Sequence, residues 1–269
     1  NIEYVLVCNG EIYNHKILEQ RLIEHDGIFS GFDFTCDCSV LLPYLVHICS
    51  GDMSKFYNDL DGEFAMVITE KHESKYYIYA LTDPLSVRPL YLQELHALQG
   101  EFKYLAFSSL LKGLNDAEYN FYTKRLHAGE TRKYIYKPTM DDYAFALVSS
   151  NYYHKYTHNM MYRIRENHNL YGEIVYYLEQ AVEKRINNTD VPICCLLSGG
   201  LDSSLVAAIA SKILRKKNQQ LHTFSIGMTN STDLVYARIA ANHINSVHTE
   251  ILYTKEEALE VVDDVIYAI

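Results

Sequence analysis

Apolar residues recur along this chain with two different periods, and the change between them divides it. In the first half, short runs alternate apolar and polar positions: IEYVLVC (2–8), GEFAMVITE (62–70), KYYIYAL (75–81), RPLYLQE (88–94) and KYLAFSS (103–109). Rich in Tyr, Val and Ile and bounded by turn or charged residues, they predict an antiparallel sheet, which RKYIYK (132–137) closes. Two helical patterns interrupt them. NHKILEQRLIEH (14–25) carries a stripe of Ile17, Leu18, Leu22 and Ile23. DCSVLLPYLVHI (37–48) predicts a second helix, in which Pro43 must lie in the first turns or kink the axis.

The second half alternates long helical patterns with short strands. Helices are expected in LYGEIVYYLEQAVEKRI (170–186), SSLVAAIASKIL (203–214), TDLVYARIAANHI (232–244) and TKEEALEVVDDVIYAI (254–269). VPICCLL (191–197) reads as a short buried strand, followed by strands LHTFSIG (221–227) and SVHTEILY (246–253). Such alternation predicts a parallel, doubly wound sheet. TKEE, at 254–257, fits a capping box. Residues 138–165 follow neither period and are too aromatic for a floppy linker, so they read as a packed connection. The domains expected are 1–140 and 166–269, joined by 141–165.

Composition narrows the function classes. A chain of 269 residues with 48% hydrophobic and 22% charged content is that of a globular protein with a real core. A net charge of -10 argues against general nucleic-acid binding, and no apolar stretch reaches membrane-spanning length. The six cysteines show no CxxC pair and no zinc spacing, which suits a reduced, cytoplasmic setting. Asn-x-Thr triplets at Asn187 and Asn230 read as chance without a secretory signal. The chain starts without Met in mid-strand and stops inside a helical pattern, so both domains are expected to be truncated. Oligomeric state stays open, a homodimer among the options.

The chemistry concentrates in LLSGGLDSSLVAA (196–208). A strand ends at Ser-Gly-Gly and a helix opens at once, where parallel sheets bind ligands. Glycines let backbone approach an anion, and the first-turn N–H groups lack helical partners. Ser198, Ser203 and Ser204 add hydroxyl donors, and the Asp202 carboxylate suggests a bridging Mg²⁺. The plain alternative is a tight strand-to-helix turn with a Ser N-cap. The lysine of a GxxxxGK[ST] loop is absent.

The string resembles the pyrophosphate loop of the N-type ATP pyrophosphatases, which split ATP between its α- and β-phosphates. With AVEKRINNTDVPICC before it and LHTFSIGMTNSTDLVYARIAANHINSVHTEI after it, the segment is similar to the synthetase domain of the glutamine-hydrolysing (B-type) asparagine synthetases. That resemblance implies an ATP site of Leu197, Ser198, Gly199, Gly200, Leu201, Asp202, Ser203 and Ile226. Leu197 and Ile226 would line the adenine pocket, and Asp202 would hold Mg²⁺. Asp233 matches a recurrent position, with a helix N-cap as the plain account.

The first half supports the same family. CNGEIYNH (8–15) looks like the glutamine-binding segment of class II amidotransferases. The resemblance implies an αββα, N-terminal nucleophile-hydrolase-like domain. Asn9 and Gly10 would form an oxyanion hole, and Asn9, Gly10, Glu11 and Asp37 would bind glutamine. Read alone, Asn-Gly more often marks a hairpin turn, and Asp37 reads equally well as a helix N-cap. Departures from the family are Cys36 for Ser and Ser39 for Glu, neither of which removes the Asp37 carboxylate, and Ser109 for Glu and Ser86 for Gly, read as drift.

The function implied is asparagine synthesis from aspartate, ATP and glutamine through β-aspartyl-AMP, releasing AMP, pyrophosphate and glutamate. The family's N-terminal cysteine nucleophile and its second ATP loop have no counterpart in this sequence, so this polypeptide alone is expected to be inactive. A β-lactam synthetase-like enzyme and a non-catalytic nucleotide-binding relative are the alternatives. His243 and His248 read as surface residues, and KILRKK (212–217) as a solvated helix end suited to the dipole.

Overall fold

The computed structural model describes residues 2–96, 101–114, 122–138, 143–154, 169–189 and 191–268. Two compact units emerge, Asn1–Thr157 and His158–Ala268.

The first unit is built on one eight-stranded sheet. Its strands are β1 (Ile2–Ile12), β2 (Gly62–His72), β3 (Lys75–Thr82), β4 (Tyr91–His96), β5 (Glu101–Ser108), β6 (Tyr122–Arg125), β7 (Glu130–Pro138) and β8 (Tyr143–Tyr152). Their order is β1-β2-β3-β7-β8-β5-β4-β6, and every pairing is antiparallel. All six runs predicted as strands lie in it. β8 is the departure: part of the stretch read as aperiodic connection pairs with β7 from Tyr143 to Tyr152. Its AFALVSS core alternates too irregularly for period two to stand out, and the pairing supplies what the pattern lacks.

Alternation along β2 feeds two cores. Phe64, Met66 and Ile68 join Ile12, Leu18, Leu22, Leu41, Tyr44 and Phe56 under the helices. Ala65 turns the other way, packing with Ala80, Leu90, Leu92, Phe102, Leu126 and Tyr134. The unit therefore has helices and sheet around one core and strand against strand around the other. Helix α1 (His15–Asp26) buries only part of its expected stripe. Leu18 and Leu22 are fully enclosed, whereas Ile17 and Ile23 stay largely exposed, because the helix meets the sheet along a narrower line than four apolar positions cover. The predicted 37–48 helix is a chain of tighter and looser turns: 3-10 at Asp37–Val40, α at Leu41–Pro43 and π at Tyr44–Ile48. Pro43 ends the α turn in the middle of this run, and the π turn follows it directly. Helix α2 (Met53–Asp59) follows, capped by Asp52, whose carboxylate accepts from Ser54 and Lys55 N–H at 2.8 and 3.2 Å.

A charged cluster lies inside this unit. Glu94 and Glu130 are both about 1% exposed. Glu94 pairs with Lys124 at 2.5 Å and accepts from the Tyr134 hydroxyl at 3.1 Å. Glu130 accepts from Arg132 Nε at 2.6 Å, His127 N–H at 2.8 Å and the Ser150 hydroxyl at 3.1 Å. Burial alone pushes the Glu130 carboxyl up; those donors outweigh it and hold it below the ordinary carboxylate range.

The second unit holds three parallel strands, β9 (Cys194–Leu196), β10 (His222–Met228) and β11 (Val247–Tyr253), in the order β11-β10-β9. Helices α3 (Leu170–Asn187), α4 (Leu201–Lys216) and α5 (Thr232–Ile244) share a single core with them. The strands follow one another in one direction, so right-handed crossovers lay α4 and α5 on the same face. The opposite face shows Leu196 and Ile226, 81% and 66% exposed. VPICCLL is accordingly not the buried strand expected: β9 is three residues long and, among the described residues, pairs with β10 alone. The expected last helix divides into α6 (Lys255–Glu260) and α7 (Val262–Ala268), neither with a buried residue. Its capping box forms as predicted, Glu257 N–H donating to Thr254 Oγ1 at 3.1 Å and Thr254 N–H to Glu257 Oε2 at 2.7 Å. The basic residues of KILRKK are exposed at the end of α4, as expected, and some also find partners. Lys212 pairs with Glu179 at 2.6 Å, and Arg215 donates to the Ile244 carbonyl that ends α5.

Candidate functional site

Asn9 and Gly10 lie inside β1, which runs unbroken from Ile2 to Ile12 and rules out the hairpin-turn alternative. Tyr13 N–H donates to Asp61 O at 2.7 Å, which sets the phase of the ladder. Odd-numbered N–H groups face β2, and even-numbered ones face the outer edge of the sheet. The Gly10 N–H thus points to the open edge of β1. Beside it on that edge, Ile12 N–H donates to Asp37 Oδ2 at 2.5 Å. Gly10 is required by space: a Cβ there would overlap the Glu63 carbonyl oxygen and come within 2.7 Å of Phe64 Cα. A glycine in mid-strand marks such a close backbone approach.

Asp37 is not the N-cap that local sequence allowed. Cys36 holds that position, and Ser39 Oγ accepts from Cys36 N–H at 3.4 Å. The Asp37 carboxylate instead ties the 3-10 turn to β1. Alternation sends the Asn9 and Glu11 side chains to the exposed positions of the strand. There Asn9 Nδ2 donates to Ser109 Oγ at 2.9 Å. Ser109, read from the sequence as drift, is thus the residue that orients the Asn9 amide; nothing in its local pattern signals that. Gly10, Ile12 and Asp37 meet at one edge, and Asn9 adds an amide from the adjoining face.

The Ser86 departure also has a structural account. The buried Asp83 carboxylate accepts from the N–H groups of Phe64, Leu85, Val87 and Arg88, at 3.1, 2.9, 3.1 and 3.2 Å. This clamps a turn in which Ser86 takes a left-handed φ of 51°. Arg125 Nη2 secures it by donating to Ser86 O at 2.7 Å.

In the second unit the SGGLDSS string forms the expected strand-to-helix turn. Gly199 has φ 80°, and a Cβ on it would stand 2.5 Å from Ala237 N and 2.7 Å from Tyr236 C. The loop is thus pressed against the backbone of α5, where only glycine fits. Gly200 is the backbone N-cap of α4, so the Ser N-cap alternative does not hold. The two serine hydroxyls meet, Ser198 Oγ to Ser203 Oγ at 2.9 Å, and Ser203 Oγ also accepts from Ser198 N–H at 3.2 Å. Leu201 and Asp202 open the helix, both exposed. An anion bound here meets the first-turn N–H groups and both hydroxyls.

The two expected adenine-pocket residues separate. Leu197 is 1% exposed and belongs to the core under the helices, whereas Ile226 stands on the open face. Strand period two explains this, and Leu196 is the leucine that shares Ile226's face. Asp233 is not a cap either: Ser231 caps α5 and Asp233 lies in its first turn. His248 is not a surface residue. Its side chain is 11% exposed and bonds the hydroxyls of Thr223 and Ser225 at 2.9 and 3.1 Å. The T-x-S spacing in HTFSIG, two inward hydroxyls on one strand face, was the available signal. Among the described residues no three or more His, Cys, Asp or Glu side chains cluster as a metal site. No described helix is long and apolar enough to cross a membrane.

Comparison with known proteins divides the chain in the same way. Residues 1–116 match the glutamine amidotransferase domain family, and residues 173–269 match the asparagine synthase family. The chain is 34% identical to a glutamine-hydrolysing asparagine synthetase of Zea mays, aligning over 98% of its own length and 41% of that protein. It is 32% identical to those of Mus musculus, over 99% of this chain and 47% of the relative, and of Arabidopsis thaliana, over 98% and 41%. The first part of the chain thus matches a glutamine amidotransferase domain and the last part an asparagine synthase domain, and the chain spans less than half the length of these relatives.

Proposed function

We propose that the protein to which this chain belongs makes asparagine from aspartate, ATP and glutamine, releasing AMP, pyrophosphate and glutamate. The observation that carries this reading is the succession of the two domain matches on one chain, each covering one of the sites described above.

In this reading the first unit handles glutamine. Attack on the side-chain amide places negative charge on its oxygen, and Asn9 Nδ2 and the Gly10 N–H are the donors for it. Asp37 holds the α-amino group through the carboxylate oxygen that Ile12 leaves free, and Glu11 completes the segment. Each oxyanion donor of this kind is worth roughly a hundredfold or more in rate.

The second unit handles ATP. Ser198, Gly199, Gly200, Leu201 and Ser203 receive the pyrophosphate as the aspartate β-carboxylate attacks the α-phosphorus. β-Aspartyl-AMP forms, and ammonia from glutamine then displaces AMP. Leu197 and Ile226 flank the adenine, Leu197 through its backbone because its side chain is buried. Asp202 fits Mg²⁺, which keeps several waters and takes one or two carboxylates alongside substrate phosphates; when bound it neutralises charge on the pyrophosphate. The finer fold assignments, an αββα nucleophile-hydrolase-like domain and a doubly wound sheet, belong to the same proposal, as does a cytoplasmic location.

The test is pyrophosphate release by the native full-length protein. With ATP and aspartate, both glutamine and ammonia should drive it. N9A should lower the glutamine-driven rate about a hundredfold and spare the ammonia-driven rate. Release that needs aspartate but ignores both nitrogen donors would point to the β-lactam synthetase-like chemistry instead.

A further inference from the structure

Two thiols flank the proposed glutamine subsite, and the mechanism uses neither. Cys8 precedes Asn9 on β1, and Cys38 follows Asp37 on the 3-10 turn. Their sulfurs stand 3.7 Å apart, in van der Waals contact. Cys38 Sγ is also 3.7 Å from the Gly10 carbonyl oxygen and 3.8 Å from Asp37 Oδ2. Both residues are partly exposed, and both are free thiols. They are 30 residues apart in sequence, and neither belongs to a spaced motif. Only the docking of the turn against the edge strand brings them together.

We infer that Cys8 and Cys38 form a reversible disulfide that bolts the 3-10 turn to β1 across the Gly10–Asp37 edge. The S–S bond needs about 2.05 Å, so the sulfurs close in from their present 3.7 Å contact. The oxidant is a low-molecular-weight disulfide such as oxidised glutathione. One protein thiolate attacks it, giving a mixed disulfide and releasing one glutathione thiolate. The second protein thiol loses its proton and attacks the first sulfur, and the other glutathione leaves. Two protein thiols are thereby oxidised and one glutathione disulfide is reduced to two thiols. Contact with the Cys8 sulfur, burial and the Asp37 carboxylate all push the Cys38 thiol up. Attack requires a thiolate, so closure accelerates as pH rises.

The consequence for glutamine rests on the function proposed above; the disulfide itself does not. The cross-link shortens the gap beside the Gly10 N–H and fixes the turn that carries Asp37, so the oxidised form should bind glutamine poorly.

The experiment equilibrates the protein with glutathione redox buffers and reads intact mass under non-reducing conditions. The expected result is a loss of about 2 Da, the two hydrogens a disulfide releases, reversed by dithiothreitol. Cleavage before Asp37 separates Cys36 from Cys38, so peptide mapping should show Cys8 joined to the Cys38 peptide. C8S and C38S should each abolish the mass loss, and C36S should not. Glutathione adducts without closure, a link to Cys36, or intermolecular dimers overturn the inference, and mapping the unaltered protein decides this even if a variant fails to fold. Glutamine affinity of the full-length protein is then measured in both redox states, with D37N as the control. If D37N leaves affinity unchanged while the disulfide forms, the glutamine reading fails and the redox site stands.

Discussion

The two sites press a glycine against foreign backbone for different reasons. Gly10 sits in an extended strand that any residue could adopt, and it is excluded from substitution only by the Glu63–Phe64 backbone across the ladder. Gly199 meets the α5 backbone and also holds a left-handed φ of 80°. The first constraint is purely steric, the second steric and conformational. Their settings differ too. The first site lies at the edge of a sheet packed on both faces around two cores and a buried charged cluster. The second lies at the end of a short strand whose sheet, among the described residues, has its helices α4 and α5 on one face and exposed Leu196 and Ile226 on the other. Rigidity at the first comes from neighbours, and at the second from the loop's own conformation.

The largest effect is expected from G199A, which adds roughly 1–2 kcal/mol of left-handed strain to about 1–3 kcal/mol of overpacking. Thermal unfolding followed by hydrogen exchange should show the loss in α4 and α5, with the first unit unchanged. Equal destabilisation of both units would mean that Gly199 does not act locally on the second unit. G10A carries the steric part alone, about 1–3 kcal/mol, and the exchange pattern should loosen along β1 and β2.

Acid offers a third comparison, because only the first unit carries the buried Glu130 cluster. Its carboxyl is held below the ordinary range, so its stabilisation is complete above the unfolded value of about 4.3 and is lost as pH falls through the lower folded value. The first unit should therefore weaken as pH drops below 4.3 or so. E130Q should cost about 1.5–3 kcal/mol at neutral pH and flatten that acid limb; an unchanged limb would remove Glu130 from the account. G200A closes the series. A Cβ there meets only Ser198 Oγ at 3.4 Å, so stability should move by less than about 0.5 kcal/mol. A large loss would mean that the second glycine, and not the first, shapes the loop.

Much of this was legible from residue order alone. Strands of β-branched and aromatic residues, the strand–helix alternation of the second half and the Ser-Gly-Gly turn are local patterns, and local backbone preference with one buried face suffices to produce them. The TKEE capping box formed for the same reason. The stripe of α1 was half legible, because helical spacing says which residues share a face and not how wide a surface that face will meet.

What tertiary structure alone decided lies between residues distant in sequence. The orientation of Asn9 by Ser109, the anchoring of Asp37 on Ile12 N–H and the Cys8–Cys38 contact all cross between elements. Strand phase did the same for side-chain direction: it placed Leu197 and Ile226 on opposite sides of one sheet, and His248 inside it. A sequence carries the period of a strand. Which neighbour lies beside it, and therefore which edge, face or sulfur a residue meets, is settled only when the pairings form.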